Sequence, residues 1–249
     1  MSAFRCAVTF LTRVPLGDGD RPDVDGAPAW FAVVGALIGA ASGGVFAGAS
    51  WLVGPFPAAA LAVAVAALIT GAFHQDGLAD TADAFGGGWT VDQRLEILKD
   101  SRHGTYGVTT LVLVIAVQIA ALTALGPRAG FVALVAAHTL GRSGAVGLML
   151  TMRPARADGL GARYSARLPR ARAAAGILAG CAIVLLSTGL PGLTLIASAL
   201  VATMAVAWLS VRKIGGVVGD VLGAAEQISE TVVLLTAAAL VRHGCSVIL

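Results

Sequence analysis

Three aspartates, Asp76, Asp80 and Asp83, fall within eight residues of the stretch FHQDGLADTADAFGGG, residues 73–88. They are spaced i, i+4, i+7. At about 100° per residue they share an arc of roughly 60° on one helix face. Like charges on one face repel each other and weaken the helix. A hard divalent cation relieves the repulsion, and Mg²⁺ takes oxygen ligands, typically one or two carboxylates plus substrate phosphate. Asp76, Asp80 and Asp83 are therefore the expected metal ligands. Gly77 and the Gly86–Gly88 run would let backbone approach a phosphate closely. A solvated helix end is the plainer alternative, but it explains neither the spacing nor the position directly behind a long apolar run.

The chain continues WTVDQRLEILKDSRHGTYG. Residues 91–99 read as a short amphipathic helix, with Leu95 and Leu98 inward and Asp92, Arg94 and Glu96 outward. Lys99, Arg102 and His103 follow beside Asp100 and two glycines. Basic side chains near a metal-bound phosphate are what phosphoryl transfer needs to neutralise developing charge. A second acidic set lies in GGVVGDVLGAAEQISE, residues 215–230. Glu226 and Glu230 are i, i+4 inside the last apolar run, where an ionisable group needs a partner. His138 and Arg142 have the same spacing in another apolar run. Arg142 with Glu226 or Glu230 is the expected intramembrane pair, either structural or catalytic.

These residues must be positioned by membrane helices. The chain of 249 residues is 57% hydrophobic and only 12% charged, against about a quarter charged in soluble domains. Its mean hydropathy is +0.85. Apolar runs near 30–54, 57–73, 105–126, 129–151, 173–190, 192–211 and 221–241 each approach the roughly 20 residues a spanning helix needs. The fold class is all-α, a polytopic transmembrane bundle of about seven spans forming a single domain over 1–249. Abundant Ala and Gly suit close helix packing. The N-terminal AFRCAVTFLTRVPLG is interrupted by Arg5 and Arg13 and reads as an amphipathic surface helix rather than a signal peptide. With the N-terminus in the cytoplasm, fourteen of the seventeen Lys and Arg residues fall on the cytoplasmic side, as the positive-inside rule requires. The polar loops 74–104, 152–172 and 212–220 then open on one face. A pI near 9.1 is topological here, because no basic-aromatic pattern for nucleic acid accompanies it. Cys6, Cys181 and Cys245 have no metal or disulfide spacing.

HQDGLADTADAFGG, LEILKDSRHGTYG and GGVVGDVLGAAEQISE together resemble the three signature blocks of the cobalamin synthase family, the adenosylcobinamide-GDP ribazoletransferases. FLTRVPLG and WFAVVGALIGA look like that family's opening. The resemblance implies a Mg²⁺-dependent inner-membrane enzyme with its site on the cytoplasmic face. Such an enzyme joins adenosylcobinamide-GDP to α-ribazole or its 5′-phosphate and releases GMP. Its other partner is membrane lipid, with a homo-oligomer left open. Two departures stand out: Val218 replaces the family's usual Thr, and Gly17 its usual Pro. On this reading His74, Asp76, Asp80, Asp83 and Asp100 are the catalytic candidates, with His74 or an aspartate as base. Gly77, Lys99, Arg102, His103, Arg142, Arg153, Asp220, Glu226 and Glu230 are the substrate and phosphate candidates, and Arg156 and Arg163 could hold a distal phosphate. A CDP-alcohol phosphatidyltransferase is the nearest alternative, but Asp80 stands where that pattern needs Arg. An ion-coupled transporter using Glu226 and Glu230 is the other.

Overall fold

The computed structural model describes residues 2–16, 22–100, 102–156 and 168–247. Arg163 and most of the basic 152–172 loop lie outside them. Among the described residues there are ten α-helices. They are α1 (Ser2–Leu11), α2 (Phe31–Val53, entered through a 3₁₀ turn, Ala27–Trp30), α3 (Pro55–Thr70), α4 (Phe73–Gly87), α5 (Val91–Ile97), α6 (Thr105–Thr123), α7 (Pro127–Thr151), α8 (Arg170–Thr188), α9 (Pro191–Ile214) and α10 (Gly219–Arg242). Six of them, α2, α6, α7, α8, α9 and α10, are long and apolar enough to cross a membrane. The expected all-α polytopic bundle is the observed one.

The remaining apolar run, 57–73, behaves differently. α3 has 16 residues, about 24 Å at 1.5 Å each, short of the roughly 30 Å hydrocarbon layer. It breaks into α4 at an angle of 93°. Two consecutive left-handed residues make the break, Gly71 at φ 66° and Ala72 at φ 57°. Alanine is strained there. A Cβ on Gly71 would strike the Arg13 guanidinium, and Arg13 donates its backbone N–H to the Ile69 carbonyl at 2.7 Å. The N-terminal segment thus braces the corner. The apolar run ends at Thr70, and the aspartate-bearing stretch becomes a separate amphipathic helix at the end of the bundle.

Lipid offers no hydrophobic force between helices, so close backbone approach must hold them. On α2, Gly35, Gly39 and Gly43 form a stripe at i, i+4, i+8 that lies against α7. A Cβ on Gly35 would land on the His138 carbonyl, and one on Gly39 would sit 2.5 Å from the Leu134 carbonyl. α7 is accordingly the central helix, with 72% of its spanning window buried, against 22% for α6 and 28% for α8. α10 packs on α9, α4 and α7.

The three polar segments meet at one end of this bundle. Arg153 and Ala155 exchange backbone hydrogen bonds with Val217, at 2.9 and 2.8 Å. Arg94 donates to the Lys213 carbonyl at 3.0 Å, and Lys213 to the Phe85 carbonyl at 3.1 Å. The described parts of the three loops expected to share a side meet there.

Gly39→Ala should cost about 1–3 kcal/mol, because an added methyl in a packed interface forces a backbone shift. Gly48→Ala, with nothing within 4 Å of its added carbon, should be neutral. Thermal unfolding in detergent checks the contrast.

Candidate active site

α4 has two chemically different faces. At its start His74 points inward and is 5% exposed. One face round, Asp76 and Asp80 point outward, with side chains 63% and 15% exposed. The helix can sit this deep because Gly77 crosses α10 at Asp220, where a Cβ would come within 2.8 Å of the Asp220 carbonyl. Gly223 receives the His74 backbone on the other side of the crossing.

His103 arrives from the segment before α6 and lies between the two outward aspartates. Its Nε2 is 3.5 Å from an Asp76 oxygen and its Nδ1 is 3.4 Å from an Asp80 oxygen. The donor atoms of Asp76, Asp80 and His103 all lie within 4.8 Å of one another. Asp220 is half-buried nearby, within electrostatic reach of Asp80, Arg156 and Asp76. Partial burial, and then the neighbouring Asp76 charge, push the Asp80 carboxyl above its ordinary range. Two carboxylates held one turn apart, with a third in reach, fit a divalent cation, which would reverse that push.

Asp83 does something else. It is 7% exposed, and its two oxygens accept the Gly104 and Gly107 backbone N–H groups at 2.7 and 2.9 Å. Those are unpaired donors of the α6 N-terminus, where a carboxylate is favourable. A Cβ on either glycine would strike the carboxylate. The expected third ligand is therefore turned onto backbone, and His103 stands in the outward cluster instead.

The inward face of α4 meets a buried charge network. Arg142, 1% exposed, pairs with both Glu226 and Glu230, and Glu230 also pairs with His138. Gln227 donates to Glu226 at 2.8 Å and to Glu230 at 3.1 Å. His74 Nδ1 is 3.7 Å from Glu226, and His74 lies within electrostatic reach of Arg142, Glu230 and His138. The expected pairing of Arg142 is present, with both glutamates rather than one. At these burials Arg142, Glu226 and Glu230 are spent on each other, and their expected contact with substrate phosphate is not what the geometry offers. His74 belongs to this interior and not to the outward aspartates.

The family model described as cobalamin-5-phosphate synthase, CobS, matches residues 3–238. The chain belongs to the CobS family. It is 46% identical over 244 residues to an adenosylcobinamide-GDP ribazoletransferase of Bradyrhizobium diazoefficiens, covering 94% of this chain and 92% of that one. Those of Azorhizobium caulinodans and Shewanella piezotolerans are 42% and 35% identical, over 92% and 94% of both chains. No solved structure matches. Membership in the CobS family sets aside the phosphatidyltransferase and transporter readings.

In this CobS chain the remaining candidates sort by contact. Asp100 is clasped by Arg102, with Nη2 to Oδ2 at 2.6 Å on the surface. The clasp holds the Asp100 carboxyl down to about 2. A carboxylate so engaged is a poor proton acceptor, and neither residue touches the cluster. Lys99 and Arg153 are exposed. Arg156 donates to the Leu95 carbonyl at 3.3 Å, which carries its charge toward Asp220. Val218 stands at the α10 N-cap with no side-chain cap. Sequence reading passes over Gln227. Its only signal is an amide beside one buried glutamate and three residues before another.

Two outcomes follow. Arg142→Met or Glu226→Gln alone should cost about 3–5 kcal/mol by stranding a buried charge, and the double variant should cost less than their sum. A double-mutant cycle on thermal stability reads this directly. The second concerns Asp80. Its raised folded-state pKa destabilises the metal-free protein, by a penalty that is absent below the unfolded pKa and grows as pH rises through the folded one. Asp80→Asn should therefore raise the melting temperature of metal-free protein at neutral pH, with the gain vanishing in acid.

Proposed function

We propose that the chain transfers the adenosylcobinamide phosphate group from adenosylcobinamide-GDP to the 5′-hydroxyl of α-ribazole or α-ribazole 5′-phosphate, releasing GMP. What carries the reading is the convergence, at one end of the bundle, of Asp76, Asp80 and His103 with Asp220 in reach, all from the blocks that mark the family. The attacking oxygen forms a bond to the cobinamide-side phosphorus. The bond from that phosphorus to the bridging oxygen breaks, and the electron pair leaves with GMP.

Asp76 and Asp80 are the residues to hold Mg²⁺, with Asp220 in support. The ion, when bound, neutralises pyrophosphate charge as the leaving oxygen gathers it. Mg²⁺ prefers oxygen, which leaves the His103 imidazole to take the proton of the attacking hydroxyl. His103 has a side chain 40% exposed and lies where a surface-delivered substrate can reach it. His74, sealed within the bundle, lacks that access. Exposed Lys99, Arg102 and Arg153 and half-buried Arg156 ring the same end and can attract the phosphates. The basic excess at this end supports placing it on the cytoplasmic face of the inner membrane.

Asp76→Asn and Asp80→Asn should each lower turnover by at least about a hundredfold and raise the Mg²⁺ concentration for half-maximal rate. His103→Ala should lower kcat by about 10²–10⁴-fold, the usual worth of a general base, with little change in Mg²⁺ dependence. Asp83→Asn should instead lose about 0.5–2 kcal/mol of stability, the worth of a helix cap, and keep the Mg²⁺ dependence of its residual activity. GMP release from adenosylcobinamide-GDP and α-ribazole, in protein reconstituted in lipid, measures all four. Unchanged activity and Mg²⁺ dependence in both Asp76→Asn and Asp80→Asn would place the metal elsewhere.

A further inference from the structure

A cleft of about 690 Å³ opens between α7, α8 and α9, away from the acidic cluster. Its walls are helix faces left low by small residues, Gly144 and Gly147 on α7 and Ala199 and Ala207 on α9. A Cβ on Gly147 would meet nothing within 4 Å. The space is unfilled by protein, yet protein interiors pack tightly, and an empty apolar gap forfeits its dispersion contacts. Something apolar must occupy it in a membrane.

The length of the cleft identifies the occupant. Along α7 it runs from Leu140 to Thr151 and along α9 from Ile196 to Trp208. At 1.5 Å per residue these walls are about 16 and 18 Å long. One leaflet's hydrocarbon is about 15 Å deep, half of roughly 30 Å. The cleft therefore reaches from the basic end of the bundle to about the bilayer midplane, the extent of one acyl chain. Its mouth is charged. Arg212 stacks over the Trp208 ring at 4.6 Å, and Trp208 is the kind of side chain that marks a membrane interface. Exposed Arg170 donates to the Leu150 carbonyl at 2.9 Å, one residue before Thr151. Arg153 follows Met152, which also lines the cleft. Among the described residues these cations have no carboxylate partner.

We infer that this cleft binds one anionic phospholipid, its acyl chain along α7 and α9 and its phosphate headgroup against Arg212 and Arg170. A second copy of the chain is the rival occupant, but an apolar helix face would leave the Arg212 and Arg170 charges unmatched, whereas a phosphate headgroup matches them. The site is independent of the catalytic assignment and needs only the membrane fold.

Full-length protein in nanodiscs of equal phosphatidylglycerol and phosphatidylcholine would be extracted into mild detergent, and retained phospholipid counted by native mass spectrometry. Wild type should retain one phosphatidylglycerol, enriched several-fold over phosphatidylcholine. Arg212→Gln should cut that preference about fivefold, the worth of one interfacial cation. Gly147→Leu, whose Cβ would meet nothing within 4 Å, should abolish retention by filling the cleft, as should Met204→Trp at a more exposed wall position. Gly48→Leu, on a lipid-facing part of α2, should retain lipid like wild type. Equal retention of the two lipids by wild type would overturn the inference. So would full retention in folded Gly147→Leu and Met204→Trp, or a doubled mass that those two variants return to the monomer.

Discussion

Two carboxylates one helical turn apart inside a membrane helix are costly unless each finds a charged or hydrogen-bonded partner. Glu226 and Glu230 impose that demand on the whole molecule. Arg142 and His138 answer it from α7 and Gln227 from α10 itself, and His74 on the first turn of α4 lies beside them, 3.7 Å from Glu226. α7 and α10 are thereby held in one register, and α4 packs against them through Gly77 and His74. The partners cannot slide by a turn without leaving a charge in a medium that does not solvate it. A network of this kind is weak evidence for net stability but a strong reason for a single arrangement.

Everything at the outer face of α4 inherits that register. With His74 buried on the inward face, the 3.6-residue period turns Asp76 and Asp80 outward. The same helix then presents Asp83 to the start of α6, where two backbone donors take both its oxygens. That capping bond fixes where α6 begins, and so where His103, two residues before Thr105, must lie. One fifteen-residue helix thus touches the buried network, the acidic cluster and the neighbouring helix N-terminus, each with a different residue. Glycines make it sterically feasible: Gly77 and Gly223 at the crossing with α10, Gly104 and Gly107 at Asp83.

The bundle separates its chemistry along the membrane normal. Groups suited to a water-borne pyrophosphate crowd one end, where the segments 88–104, 152–156 and 212–220 are stitched together by Arg94, Lys213 and a short parallel bridge at Pro154 and Val217. The interior beneath is held by small-residue contacts and by the buried charge network around Arg142. For a family whose relatives carry the name of a ribazoletransferase, this gives a polar reaction surface backed by a rigid apolar body.

Hydropathy, length and basic-residue placement by themselves determined the membrane class, six of the seven expected spans and the meeting of the polar segments at one end, because those properties are one-dimensional: an apolar run must cross or be buried wherever it occurs. The i, i+4 spacings of Glu226 with Glu230 and of His138 with Arg142 likewise foretold two helix faces that had to meet. Spacing could not say which of three aspartates on one arc would face solvent. Asp83 lies within the same 60° sweep as Asp76, yet the approach of Gly104 and Gly107 from a helix twenty residues on claims it. Spacing puts His74 and Asp76 on opposite sides of α4, about 200° apart, but could not say which of the two would face the interior, or bring His103 between two aspartates. The break at Gly71 and Ala72, which takes the acidic helix off the second apolar run, shows in the sequence only as a glycine. Each of these depends on which backbone groups arrive from elsewhere in the chain, and only the tertiary structure decides that.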